Sequence, residues 1–418
     1  MQIYKNYSYI LSQVGTFVLG LDKSSFIDRI QAVKELGFEG CNKVAKTLKG
    51  TDKALAYQSL QMWNDVLTKG CTSLFIYLDW CSSGASLLSA LTRCETGMIS
   101  CGVFNISRPG NLYQEITDLL NKKLSMELSR KEVKSFTVPF YYGGDANVRD
   151  ALGTNEEVFH EVYRTLLPGA YDFRNKGVDA WDDTKEEWTW TMPDGYEVCV
   201  PILGDTELVT VDVNGTSYKC HFKVKQARPT EVLLGYSYNG SPMFGRNHKT
   251  KGLGAHMIHS TDALVLREMV GMAHMTNQRA KAILNQTGKG EYDMAGDAVL
   301  EHMFKAWQET NMPSVRWFYE LEQFANAVTL PDELYEQLTD LADWLIDEEF
   351  DMITIHDEFG CLPSYVNTMR RYANKVYANL YKSDLMKYFN KVFKMDVKVG
   401  DFKQGTYENI LDADYLLS

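Results

Sequence analysis

Apolar positions recur at helical spacing through most of this chain and at strand spacing in a few short runs. In Phe26-Ile-Asp-Arg-Ile-Gln-Ala-Val-Lys-Glu-Leu36 they return every three or four residues, and Gly37 stands where a helix C-terminus wants a glycine. A second helical stretch runs from about Lys53 to Val66, so residues 1–70 read as mostly helical. Leu74-Phe-Ile-Tyr-Leu-Asp79 is a continuous apolar strand ending in a carboxylate. The small-residue turn Trp80-Cys-Ser-Ser-Gly84 follows, and Ala85 to Leu91 begins an apolar helix whose N-terminal region favours anions. Hairpins are expected at Trp188–Met192, before Pro193-Asp-Gly195, and at Val209–Val213, where Asn214-Gly215 leads into Ser217–Lys225. Met352-Ile-Thr-Ile355 is a β-branched run that predicts a buried strand, with Asp357 and Glu358 arriving at a tight turn closed by Gly360. The class is α+β, mostly helical.

At 418 residues the chain is long enough for two or three subdomains around a sizeable core. No apolar run approaches the ~20 residues that span a bilayer, and the first residues lack the sections of a signal peptide. Eight cysteines include no Cys-x-x-Cys pair, so reduced thiols are expected and neither a zinc site nor a disulfide framework is indicated. A net charge of −12 argues against non-specific nucleic-acid binding by the chain as a whole, though not against a basic groove on one face.

The chemistry concentrates where two apolar strands each deliver an aspartate at the C-terminal end. Asp79 and Asp357 are 278 residues apart (357 − 79), so only the fold can bring them together. Two carboxylates about 4 Å apart repel by roughly 4 kcal/mol at an effective dielectric near 20, and one would take up a proton unless cations sat between them. A pair of Mg²⁺ ions removes that conflict and clamps an in-line phosphoryl displacement. The backbone carbonyl of Trp80, next to Asp79, is a further oxygen ligand on offer. Read singly, Asp79 is equally a helix cap and Asp357-Glu358 an acidic turn. Between them, Arg130 and Lys134 lie four apart on one helix face, and Tyr142 comes eight residues later, with Pro139 a point of kinking. The stretch suits a helix that grips a triphosphate and presents Tyr142 to a sugar or base; a solvated basic helix is the alternative.

Asp79-x-x-x-x-Gly84, Arg130-x-x-x-Lys134-x₇-Tyr142-Gly143 and His356-Asp357 stand in the order and form of motifs A, B and C of nucleotide polymerases. The set resembles the single-subunit, bacteriophage and mitochondrial type of DNA-dependent RNA polymerase. Trp190–Tyr196, Ile258–Arg267, Phe359–Pro363 and the terminal Ile410–Ser418 resemble further parts of that family. The resemblance implies a right-hand polymerase palm and fingers. It implies that Asp79 and Asp357 hold Mg²⁺, with the Trp80 carbonyl as a third contact. Arg130 and Lys134 would contact the triphosphate, with Lys46 as a further contact. Tyr142, followed by Gly143, would select a ribose and stack at the template position. His259 would approach the nascent pair, and His356 would sit by the primer end. DNA template, nascent RNA and nucleoside triphosphates are the implied partners, and the cytoplasm of an infected bacterial host the implied location.

Three departures shape the expectation. Trp80 replaces the family's glycine after the motif A aspartate, and Ser135 replaces an arginine after Lys134. His356-Asp-Glu358 resembles family A DNA polymerases more than the usual His-Asp-Ser, which makes such a DNA polymerase the nearest alternative. Gly84 opposes it, because those enzymes place near this point a glutamate that blocks a 2′-hydroxyl. A non-catalytic nucleic-acid-binding subunit is a third reading. Only 78 residues precede Asp79, without the family's promoter-binding domain, thumb or Asp-x-x-Gly-Arg motif. Either the chain is a fragment or a smaller partner supplies those parts; it resembles the large catalytic subunit of a split, two-subunit bacteriophage enzyme.

The expected organisation is N-terminal helices and first palm segment over 1–105, fingers over 106–257, a return to the palm over 258–275 and an acidic helical insertion over 276–350. Residues 351–418 form the remaining palm and a C-terminal foot. The basic runs Phe222–Arg228 and Arg246–Lys251 fit a template or RNA path. The insertion's carboxylates, from Asp332 to Glu349, suit docking of the partner subunit or an accessory recruitment factor, or else a solvated pair of amphipathic helices.

Overall fold

The computed structural model describes residues 1–201 apart from 105, 107, 108, 181, 183, 184 and 186, the backbone of the strands Leu203–Val213, Thr216–Lys225, Leu234–Tyr236 and Pro242–Phe244, and residues 252–418. The architecture is α+β and mostly helical, with small sheets between the helices.

The sheet that matters most joins distant parts of the chain. Strand Ile76–Asp79 runs antiparallel to Glu358–Cys361, which in turn pairs with Ile353–Ile355. Ile76, Leu78, Phe359 and Cys361 are buried on one side, which is the apolar gain that holds the two ends of the chain together. The expectation of a buried strand at Met352–Ile355 is corrected here. Met352 is buried, but Ile353 and Ile355 pair with Gly360 and Glu358, on the face away from buried Phe359, and are exposed at 43% and 52%. Gly360 does not close the turn either. His356 and Asp357 make the turn, and Gly360 lies in the return strand opposite Tyr77, where a Cβ would come within 2.5 Å of the tyrosine ring.

Three helices precede this sheet, Asn6–Leu19, Phe26–Thr47 and Gly50–Lys69, and they pack on one another. Gly37, at φ +68°, interrupts the second, as its place after Leu36 foretells. The turn before that helix is fixed by a buried arginine. Arg29 donates to the carbonyls of Ser24 (2.9 Å) and Asp22 (2.8 Å) and to the Thr16 hydroxyl (3.1 Å), which sets the position of Lys23 between them.

Helix Ser83–Leu91 follows the first strand and packs against Leu253–Ala273 and Val366–Lys382. The expected hairpin at 188–192 is present as Glu187–Thr191 paired with Glu197–Pro201. It is tied to the 253–273 helix by Trp190 Nε1 donating to Ser260 Oγ (3.2 Å) and by an ion pair between Asp194 and Arg267, whose guanidinium lies 4.5 Å from the Tyr196 ring. Leu203–Val213 pairs with Thr216–Lys225 as the pattern predicts, while the Asn214-Gly215 turn, Arg228 and the 246–251 basic run lie outside the described residues, as do the side chains of 222–225.

Residues 276–350 are helical, with helices Asn277–Gln286, Ala298–Thr310, Arg316–Leu321 and Asp332–Trp344. Several of the segment's carboxylates are already engaged. Asp343 pairs with Lys281 (2.7 Å), Glu336 with Lys289 (3.2 Å), and Asp340 with the buried Lys375 of the 366–382 helix. Among the described residues, no helix is long and apolar enough to cross a membrane.

Candidate active site

A cavity of about 250 Å³ opens where the catalytic-looking segments meet, and Asp79, Gly84, Arg130, Lys134, Tyr142 and Asp357 all line it. Its charged walls are Lys23, Arg130 and Lys134 against Asp79 and Asp357, a local positive excess in a chain of net charge −12. Such an excess focuses the field on an anionic ligand.

The sheet register delivers the two aspartates. Asp79 stands opposite Glu358, and one rung further the Trp80 N–H donates to the Asp357 carbonyl at 3.2 Å. A third chain segment secures the outer side, with the Ser418 N–H donating to the Asp79 carbonyl (3.0 Å) and the Cys81 N–H to the Leu416 carbonyl (3.4 Å). Asp79 is open to the cleft, yet the surrounding protein and then the Asp357 charge push its pKa up to about 6; Lys23 pulls the other way. Because Asp79 faces the open mouth of the cleft, solvent screens that push.

The helix Arg130–Tyr141 begins where it does because Ser129 and Glu132 form a capping box: the Ser129 hydroxyl accepts from the Glu132 N–H, and Glu132 accepts from the Ser129 N–H (2.8 Å). Arg130 and Lys134 then share a face, with their cationic groups 5.7 Å and 5.5 Å from the centre of the Tyr113 ring. Arg130 is held further by its Nε donating to Asn111 Oδ1 (3.0 Å). Pro139 sits in the last turn and the helix runs through it, so Tyr142 still faces the same cavity. Gly143, at φ +92°, carries the chain away and is not itself a wall. The Tyr142 ring packs 5.1 Å from that of His259, whose pKa burial lowers.

Trp80 resolves an apparent conflict in the sequence. Its indole is buried, stacked on Tyr377 at 5.0 Å and edge-on to Phe359 at 5.2 Å, so it does not fill the cavity. The C-terminal bridge uses the Asp79 carbonyl and the Cys81 N–H, and leaves the Trp80 carbonyl out of that ladder. His356 occupies the hairpin turn at φ +56°, exposed and outside the cavity lining. Lys46 is exposed in the last turn of the 26–47 helix and does not line the cavity; the lysine that does is Lys23.

Lys23, Tyr113 and Asp262 were not singled out from sequence. Lys23 and Tyr113 sit in stretches whose local pattern says nothing of a site. Asp262 was legible, three residues beyond His259 and hence on the same helix face. It is pushed up to about 6 by burial and then by Asp357, and His356 opposes the shift.

Among the described residues, no three His, Cys, Asp or Glu side chains stand close enough to hold a metal by themselves. Mg²⁺ is commonly held by one or two carboxylates together with substrate phosphates, and the Asp79–Asp357 pair beside three cations fits that mode. No protein-family model matches this chain, and no curated protein matches it.

Proposed function

We propose that the chain is the palm-and-fingers catalytic subunit of a template-directed RNA polymerase of the bacteriophage type, working with a smaller protein subunit. The observation that carries this is the single cavity that gathers Asp79, Asp357, Arg130, Lys134 and Tyr142, with Gly84 facing the Tyr142 hydroxyl. The reaction is attack of an RNA 3′-hydroxyl on the α-phosphate of a nucleoside triphosphate, with pyrophosphate leaving.

Arg130 and Lys134 hold the triphosphate, and Lys23 adds a third positive charge on the Asp79 side. Tyr142, braced by His259, forms the floor on which the sugar and base rest. Gly84 leaves room beside that floor for a 2′-hydroxyl. Asp79 and Asp357 are the residues that would hold Mg²⁺, which supplies charge neutralisation at the reacting phosphate and at the entering and leaving oxygens.

A second reading, a DNA polymerase, is favoured by one observation: Glu358, the residue that makes motif C read His-Asp-Glu, stands directly opposite Asp79. Extension of an RNA primer on single-stranded DNA, with ribo- and deoxyribonucleotides compared, separates the readings. It is run with the chain alone and after co-expression with its neighbouring genes. Ribonucleotide incorporation that rises with a co-purifying small protein is expected; a preference for deoxyribonucleotides would overturn the RNA polymerase reading, and no incorporation in either setting would count against both.

A further inference from the structure

Trp80 is 4% exposed, and its indole N–H finds no hydrogen-bond partner among the described residues. A buried donor left unpaired is costly, so its persistence in a well-packed wall asks for a reason. The ring itself is well fixed, stacked on Tyr377 and edge-on to Phe359.

Across the ladder from Trp80 stands Asp357, the pair being joined by the Trp80 N–H to Asp357 carbonyl bond. Asp357 is the turn residue just beyond the paired strands, and both it and Trp80 line the cavity. Consistently, the Asp357 charge reaches the Tyr377 phenol on which the indole lies. The Asp357 carboxylate also lacks a hydrogen bond or ion pair among the described residues. A buried donor without a partner thus neighbours a half-buried carboxylate in the wall of one cavity.

We propose that Trp80 is a positioning residue for Asp357: when a divalent cation takes one carboxylate oxygen, the other accepts a hydrogen bond from Trp80 Nε1–H. The proposal rests on the metal role given to Asp357 above. It also assigns a use to the side chain by which this chain departs from the glycine of the family it resembles, since a glycine there has no donor to offer.

The test is Trp80→Phe, which leaves a smaller aromatic ring between Tyr377 and Phe359 and removes the indole N–H. Binding of Mn²⁺ to the full chain is followed by electron paramagnetic resonance of the free ion. Affinity about tenfold or more weaker than wild type is expected, the usual cost of losing a group that orients a metal ligand. The smaller ring should also lower the melting temperature in EDTA, so the affinities are compared where both proteins are folded. Equal Mn²⁺ affinity in the two proteins would overturn the proposal while leaving the metal site standing. No Mn²⁺ binding by wild type would overturn the metal role and this inference with it. Should W80F fail to fold, ¹⁵N-tryptophan spectra decide: Mg²⁺ should move one indole N–H signal downfield in wild type and not in Asp357→Asn. A wild-type spectrum without such a shift would sink the idea.

Discussion

A Cβ placed on Gly84 would lie 3.6 Å from the Tyr142 hydroxyl and 3.7 Å from Ile258 Cγ2. One methyl group therefore fits in ordinary contact, whereas a longer side chain has to enter the space beside the tyrosine. Gly84→Glu is expected to fold and to shift the ratio of ribo- to deoxyribonucleotide kcat/KM toward deoxyribonucleotides by at least about tenfold, or ~1.4 kcal/mol. Steady-state incorporation with each nucleotide type measures it, and an unchanged ratio would remove Gly84 from sugar selection.

Asp79 shares the cavity with Asp357, and the surrounding protein and then the Asp357 charge raise the Asp79 pKa. Asp79→Asn removes that repulsion. Its melting temperature without divalent cation should equal or exceed that of wild type, while nucleotide incorporation falls roughly a thousandfold through loss of several kcal/mol of charge stabilisation. A variant that melts lower and keeps its activity would assign Asp79 a structural role instead.

Glu268, on the 253–273 helix, is 3% exposed, and burial pushes its pKa from 4.5 to about 7 although the Ser314 hydroxyl and the Val315 N–H both donate to it. Because the folded-state value lies above the unfolded one, its contribution to stability is complete below about pH 4.5 and is lost as pH rises through about 7. Glu268→Gln can keep both hydrogen bonds without the charge. It should melt above wild type at pH 8.5, by an amount on the order of 3 kcal/mol at most, with the gap closing toward pH 5. Parallel melting curves of the two proteins across that range would contradict the assignment.

Gly360→Ala tests the hairpin that carries Asp357. The added methyl would meet the Tyr77 ring at 2.5 Å, so the strands must part or the ring must turn. Destabilisation of about 1–3 kcal/mol is expected by chemical denaturation, and Tyr77→Ala should relieve it in the double variant. Additive losses would mean that the contact is not the cause.

Much of this site was readable because polymer and chemistry pointed the same way. The apolar run before Asp79 forms the predicted strand, although it starts at Ile76, and the four-residue spacing of Arg130 and Lys134 puts both on one helix face. The misreadings came from what single-chain periodicity does not encode. Ile353 and Ile355 have the composition of a buried strand, but their register with Gly360 and Glu358 puts them on the face away from the core. Gly360 looks like a turn residue, and its reason is instead a tyrosine some 280 residues away. Lys23 reaches the cavity only because buried Arg29 ties down the turn around it, a relationship with no local signature.

Pairing Ile76–Asp79 with Glu358–Cys361 also has a meaning in time. At the ~5–20 residues per second of translation, roughly 15–60 seconds separate synthesis of the two halves of the site. Until the second arrives, the first strand has no partner at its edge and Asp79 has no companion carboxylate. Over that interval the nascent chain is unable to assemble its acidic pair, and closing the ladder comes well after the first strand is made.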